Sequence, residues 1–187
     1  MKAYINEYSD TLKAVQNTSS ATIASSPQWE APQVETVKCN CDASYSASLR
    51  KAGVGFVCKD HEGTVLKATS CPSSFTDILV GESLVVRLAM MEMIVVGYER
   101  VVIESDNSCL INYIMNGGRA SPLHIRILVD DIIHLASSFV SCNFVCIPRE
   151  INSVVGSLAR RALSVACTTD WPLSTPWLSE FCSSLPP

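Results

Sequence analysis

Three acidic residues stand where regular structure would bring them to one point: Asp42, Glu82 and Asp106. Asp42 falls in the run Thr36–Tyr45, TVKCNCDASY, where Val37, Cys39 and Cys41 alternate with Lys38, Asn40 and Asp42. Side chains alternate between the two faces of a strand, so Asp42 ends the face opposite the apolar one. Asp106 closes a second apolar run, RVVIESD, from Arg100. Glu82 falls early in a helical pattern that begins near Thr76. Singly, each has an ordinary role. Asp is common in turns, and a carboxylate near a helix N-terminus is favoured by the dipole. If the two strands are parallel neighbours, Asp42 and Asp106 sit side by side at the carboxyl ends, where ligands gather in such sheets. A helix packed across them can aim Glu82 at the same place. Converging carboxylates repel one another unless a cation joins them. Hard divalent ions such as Mg²⁺ take oxygen ligands. Two such ions about 4 Å apart can activate water and stabilise a leaving oxygen in phosphodiester cleavage. Glu104 shares a strand face with Asp106 but lies deeper, and spacing leaves its structural and functional roles equally open.

The elements that must position these acids follow from periodicity. Thr36–Tyr45, Ala52–Asp60 and Thr64–Ser70 read as three strands joined by short turns, His61-Glu62-Gly63 being a hairpin. Gly53 and Gly55 are expected to relax the second strand. A helix follows from Thr76, with Ile78, Leu84, Val85, Leu88, Met91 and Val95 at helical spacing. Ser74 or Thr76 would cap it and Gly97 would end it. The three methionines in it read as core filling. Arg100–Asp106 is the fourth strand. A short helix over Asn107–Met115 and a longer one from Ser121-Pro122 to Ser137 come next, with Ser121 as cap and Pro122 at the first helical position. Ser141–Pro148 is the fifth strand and Glu150–Ala166 the last helix. The order implies a mixed α/β sheet, antiparallel on one side and parallel on the other, with helices on its faces. Residues 1–33 read as a flexible leader, with Pro27, Trp29 and Pro32 pinning its end, 34–167 as the domain, and 168–187 as an irregular tail with Trp171, Trp177 and Phe181 as packing points.

Composition narrows the function. Hydrophobic residues at 48% and charged residues at 17% suit a globular core. No apolar run has the length of a membrane span. The first ten residues lack a secretory pattern, so the nine cysteines are expected to be reduced, in an intracellular protein, nuclear or cytoplasmic. Cys58, Cys142, Cys146 and Cys167 sit in apolar company and read as small hydrophobes. No zinc spacing occurs. The net charge of −4 argues against a protein that coats nucleic acid through charge alone.

The segments VKCNCDAS, GVGFVCKDHEGTVL, GES, VVIESDNSCLI and VCIPREINSVVGSLARRAL, in that order, resemble the ribonuclease H-like domain over about Trp29 to Leu163. The match is closest to its plant reverse-transcriptase-like branch, seen in retroelement proteins and their host-encoded relatives. The resemblance implies a ribonuclease H-like fold: a mixed five-stranded sheet, antiparallel 1-2-3 and parallel 1-4-5, with helices on both faces. It implies hydrolysis of the RNA strand of an RNA–DNA hybrid with Mg²⁺ or Mn²⁺ in a two-metal centre, with Asp42, Glu82 and Asp106 as catalytic, metal-binding acids. Two departures stand out. The family's last segment reads N-x-x-A-D-x-L-A, and here Gly156 takes the place of the acid, which makes the second metal site doubtful. Glu82 lies between Gly81 and Ser83, where alanines are usual.

Lys38, Arg149 and Arg160 are the main candidates for holding nucleic acid, with Arg50, Lys51 and Arg161 behind them. Hybrid recognition would rest on phosphate and 2′-OH contacts. Two readings stay open: a hybrid ribonuclease weakened at Gly156, and a non-catalytic module that binds nucleic acid or a protein. Both expect a monomer without a membrane anchor.

Overall fold

The computed structural model describes residues 29–178. Most of the expected leader, with Pro27, and the end of the expected tail, with Phe181, lie outside the described residues. The sheet has the order β5-β4-β1-β2-β3-β6. Strands β1 (Val37–Ser46), β2 (Lys51–Lys59) and β3 (Val65–Ser73) form an antiparallel meander. Strands β4 (Arg100–Ser105) and β5 (Ser141–Cys146) extend it in parallel from β1. This is the expected mixed sheet with one strand more. The addition, β6 (Thr169–Asp170), pairs antiparallel with β3 in the segment read as irregular. Two residues and a following Pro172 leave no alternation to read. Side chains secure the pairing instead: Thr69 Oγ1 donates to Asp170 Oδ1 at 2.6 Å, and Trp171 Nε1 to Ser70 Oγ at 2.8 Å.

Helices α1 (Ile78–Val96), α2 (Ser108–Met115) and α3 (Leu123–Ala136) cover one face of the sheet, and α4 (Ser153–Arg161) covers the other. The larger core joins Cys39, Cys41, Val54 and Phe56 of the sheet to Val85, Ala89, Met90 and Met93 of α1. Ile125, Val129 and Ile132 of α3 complete it, so Met90 and Met93 are core, while Met91 faces outward, 41% exposed. The smaller core sets Val155 and Leu158 of α4 against Val57 and Ala68, closed by Leu178 with Trp171 and Trp177. These two rings meet edge-on at 5.3 Å between centroids, and the Arg161 guanidinium lies 3.8 Å from the Trp177 ring centroid.

Several boundaries differ from expectation. Asp77, not Ser74 or Thr76, caps α1, its carboxylate accepting from the Leu79 N–H at 2.8 Å. Gly97 ends that helix at φ 90°, the left-handed conformation glycine adopts freely. Ser121 does not cap α3. Its hydroxyl turns back to the Gly118 carbonyl at 2.6 Å, and the helix starts after Pro122. Helix α4 is shorter than Glu150–Ala166 because turns closed on Pro148 and Arg149 precede it and three-residue bonds tighten its end. Gly53 and Gly55 serve close packing, not relaxation. A Cβ on Gly55 would lie 2.6 Å from the Ala159 nitrogen, and one on Gly53 2.4 Å from Ala162 Cβ.

The eight cysteines among the described residues are free. Cys39, Cys41 and Cys58 are buried, and burial pushes the Cys39 and Cys41 thiols up, so they pack as neutral groups. Cys146 and Cys167 are exposed, against the apolar setting expected of them. Cys146 lies on edge strand β5, and Cys167 precedes β6. Among the described residues no helix is long and apolar enough to cross a membrane.

Candidate metal centre

The register of the sheet brings the acids together. Strands β1 and β4 run parallel with Asn40 opposite Glu104. Two residues further along each, Asp42 and Asp106 stand side by side where the strands part. Glu82 reaches them from the second turn of α1. One carboxylate oxygen from each of the three lies within 4.8 Å of the others. Gly81 lets that end of α1 come close, since a Cβ there would sit 2.5 Å from the Phe75 ring and 2.9 Å from Ala43 Cβ. Ser83 is fully buried and turns its hydroxyl to the Leu79 carbonyl at 2.8 Å. The residues flanking Glu82 thus answer to local packing.

Glu82 is 3% exposed. It accepts from the Ala43 N–H at 3.2 Å and from Ser105 Oγ at 3.3 Å. Burial, with the neighbouring Asp42 charge, pushes its carboxyl up to about 9. Asp42 is also raised, by burial first and then by the charge of Asp106. Such a cluster carries a proton at neutral pH unless a cation replaces it. Three oxygen donors at this spacing suit a hard divalent ion, and the thiols nearby are neutral.

Asn152 belongs to the same construction, although its sequence signal was only a motif letter four residues before Gly156. It directly precedes α4 yet makes no side-chain cap. Its Nδ2 points inward, donating to the Cys41 carbonyl at 2.9 Å and to Asp106 Oδ1 at 3.2 Å. It therefore ties α4 to both strands of the centre. Groups that orient a metal ligand matter nearly as much as the ligand. Asn152→Ala is expected to weaken Mn²⁺ binding by about 10- to 100-fold, read by titration calorimetry.

Gly156 faces Asp42 across a cavity of about 190 Å³, which Asp106, Arg149, Asn152, Ser153 and Arg160 also line. A Cβ at 156 would lie 2.9 Å from Asp42 Oδ2. A side chain there would point toward Asp42, and glycine leaves that space open. Arg149 Nε stands 4.0 Å from Asp106 Oδ2, with its side chain 85% exposed. Arg160 is exposed on the other side of the cavity.

Lys38 is not brought to this point. It is 8% exposed, its ammonium 2.7 Å from Glu104 Oε1 and 2.6 Å from the Glu30 carbonyl. Glu104 also accepts from Asn40 Nδ2 at 2.8 Å. Both are thereby structural. The Trp29 ring lies over Lys38 and Lys59, which holds the start of the described chain against the sheet. Lys38 read as available from sequence because nothing there showed that this face of β1 is covered.

A parallel-extended meander with helices on both faces is a ribonuclease H-like fold; here two of the acids stand where its central strands end and the third on α1. The ribonuclease H1 of Halobacterium salinarum superposes with TM-score 0.64 at 16% identity, over 69% of this chain and 98% of its own. An N-terminal RNase H domain from Mycobacterium tuberculosis gives 0.63 at 19%, over 69% and 94%. LC11-RNase H1, solved in complex with an RNA/DNA hybrid, gives 0.61 at 22%, over 68% and 96%. The reverse transcriptase-like family profile matches residues 40–162, and the chain belongs to that family. No curated protein matches the sequence.

Proposed function

We propose that this domain is a metal-dependent ribonuclease H, of the plant retroelement-related branch, that cleaves the RNA strand of RNA–DNA hybrids with reduced turnover. The observation that carries this reading is the convergence of Asp42, Glu82 and Asp106 within 4.8 Å. Mg²⁺ or Mn²⁺ held there would supply Lewis acidity and a water of lowered pKa. Asp42 and Asp106 offer it oxygens from the strand ends. Glu82, set by Ala43 and Ser105, closes the site from α1. Asn152 keeps Asp106 oriented. Arg149 and Arg160 flank the cavity and would meet backbone phosphate, which positions a duplex without reading its bases.

The missing side chain at 156 supports a second reading, a non-catalytic domain that binds nucleic acid or protein. A labelled RNA–DNA hybrid incubated with the full chain and Mg²⁺ or Mn²⁺ separates the two. Weak cleavage is expected, and its loss in Asp106→Asn. Absence of cleavage with both ions would sink the enzyme reading and leave the second.

A further inference from the structure

Arg160 lies four residues after Gly156, one turn along the same face of α4. Its Nη1 and Nη2 are 3.5 and 3.9 Å from the place a Cβ on residue 156 would take. The guanidinium thus occupies the neighbourhood into which an acid at 156 would extend. It can do so because Gly156 has no side chain. Among the described residues Arg160 pairs with no carboxylate, and its side-chain bond is to Ser157 Oγ at 3.1 Å. Arg149 stands across the cavity, near Asp106. Asn152, 3% exposed, lines the cavity with its Oδ1 unpartnered.

Charge balance turns this geometry into a statement about ligands. Four acids in one centre would call for two divalent ions. Three acids beside two arginines carry a net charge of about −1; one divalent ion takes that to +1, which one backbone phosphate balances, and a second ion would take it to +3. A second ion would have to bind beside the Arg160 guanidinium with no carboxylate at 156 to hold it, against like-charge repulsion. A phosphate oxygen suits the same spot, since a guanidinium presents a fork of donors that matches phosphate.

Resting on the metal-centre reading above, we infer that the centre takes a single divalent cation and that Arg160 stands in for the second. With Arg149 it seats a backbone phosphate of the nucleic acid next to that ion. The phosphate is held by permanent charge, so hybrid binding through this seat needs no metal.

Two measurements on the full chain test this. Mn²⁺ is titrated by calorimetry and followed by electron paramagnetic resonance, counting only ions lost in Asp42→Asn. One ion with the spectrum of isolated Mn²⁺ is expected, and a second, spin-coupled ion in the Gly156→Asp/Arg160→Ala double variant. Two ions in the unaltered chain would overturn the inference while leaving the metal centre standing. No ion would remove the metal-centre reading itself and the inference with it. In EDTA, a labelled RNA–DNA hybrid is bound at several salt concentrations. Arg160→Ala is expected to weaken binding about tenfold and to lower the log–log salt slope by about one phosphate contact, with Arg87→Ala, on the opposite face of the sheet and paired with Asp131, unchanged. An unaltered slope in Arg160→Ala would overturn the phosphate seat.

Discussion

Gly55→Ala is expected to lose roughly 3 kcal/mol of stability, the upper end for overpacking a core. The added methyl would lie 2.6 Å from the Ala159 nitrogen, 2.7 Å from Leu158 Cβ and 2.8 Å from the Leu158 carbonyl carbon. Two of those three atoms are helix backbone and cannot rotate away. Helix α4 would have to lift from β2. Lifting it opens the packing of Val155 and Leu158 on Val57 and Ala68 and breaks the bond from Ser70 Oγ to the Leu158 carbonyl at 2.7 Å. It also draws Asn152 away from Cys41 and Asp106, so Mn²⁺ affinity should fall with stability. Urea unfolding followed by circular dichroism gives the midpoint, and calorimetry gives the affinity. A midpoint equal to that of the parent chain would show that α4 does not depend on the bare backbone of β2.

That substitution marks where sequence reading stops. Alternation placed Val37, Cys39 and Cys41 on one face of β1 and Asp42 on the other, because a strand's two faces follow from period alone. The positions of Asp42, Glu82 and Asp106 were legible for the same reason: each sits at a countable distance from the start or end of an apolar run. Distances across the fold leave no such trace. Gly53 and Gly55 look like conformational freedom until α4 is seen lying on them. Lys38 looks like a phosphate ligand until Glu104, beyond β2, β3 and α1 in sequence, is seen beside it. Strand β6 is too short for a period and is held by Thr69, Ser70 and Trp171. Asn152 carried a family letter and no physical signal, because its partners are a carbonyl of β1 and a carboxylate after β4.

The centre also separates what stabilises the fold from what serves a ligand. Lys38 and Glu104 are buried opposite charges that satisfy each other, with Asn40 and the Glu30 carbonyl completing the network. Asp42, Glu82 and Asp106 are like groups brought together, and among the described residues their one ion pair is with the exposed Arg149, 4.0 Å from Asp106. Asn40 and Glu104 of the first cluster lie two residues before Asp42 and Asp106 of the second in the same two stretches of chain. Charges placed for the fold alone would resemble the first. Asp42 and Asp106 line a cavity with Glu82 buried beside them, and it is on this arrangement that the proposed metal centre rests.

Glu82→Gln should therefore stabilise the metal-free protein, by an amount that grows with pH. In the unfolded chain this carboxyl loses its proton near 4.5, whereas in the folded chain burial and Asp42 hold the proton up to about 9. Below pH 4.5 both states carry it, and the substitution changes little. Between these limits the folded chain must keep a proton that the unfolded chain has released, so stability falls as pH rises through the window and levels off above about 9. Glutamine has no proton to keep, and it still accepts from the Ala43 N–H. At pH 7 the variant should be more stable by on the order of 3 kcal/mol. Guanidinium unfolding in EDTA at pH 5 and pH 8 gives the comparison, and stability differences equal at the two pH values would refute it. With Mn²⁺ the order should reverse, because only the parent chain gains from the ion, binding it as the Glu82 proton leaves. A buried carboxyl that weakens the fold when empty and strengthens it when filled is the thermodynamic signature of a ligand position.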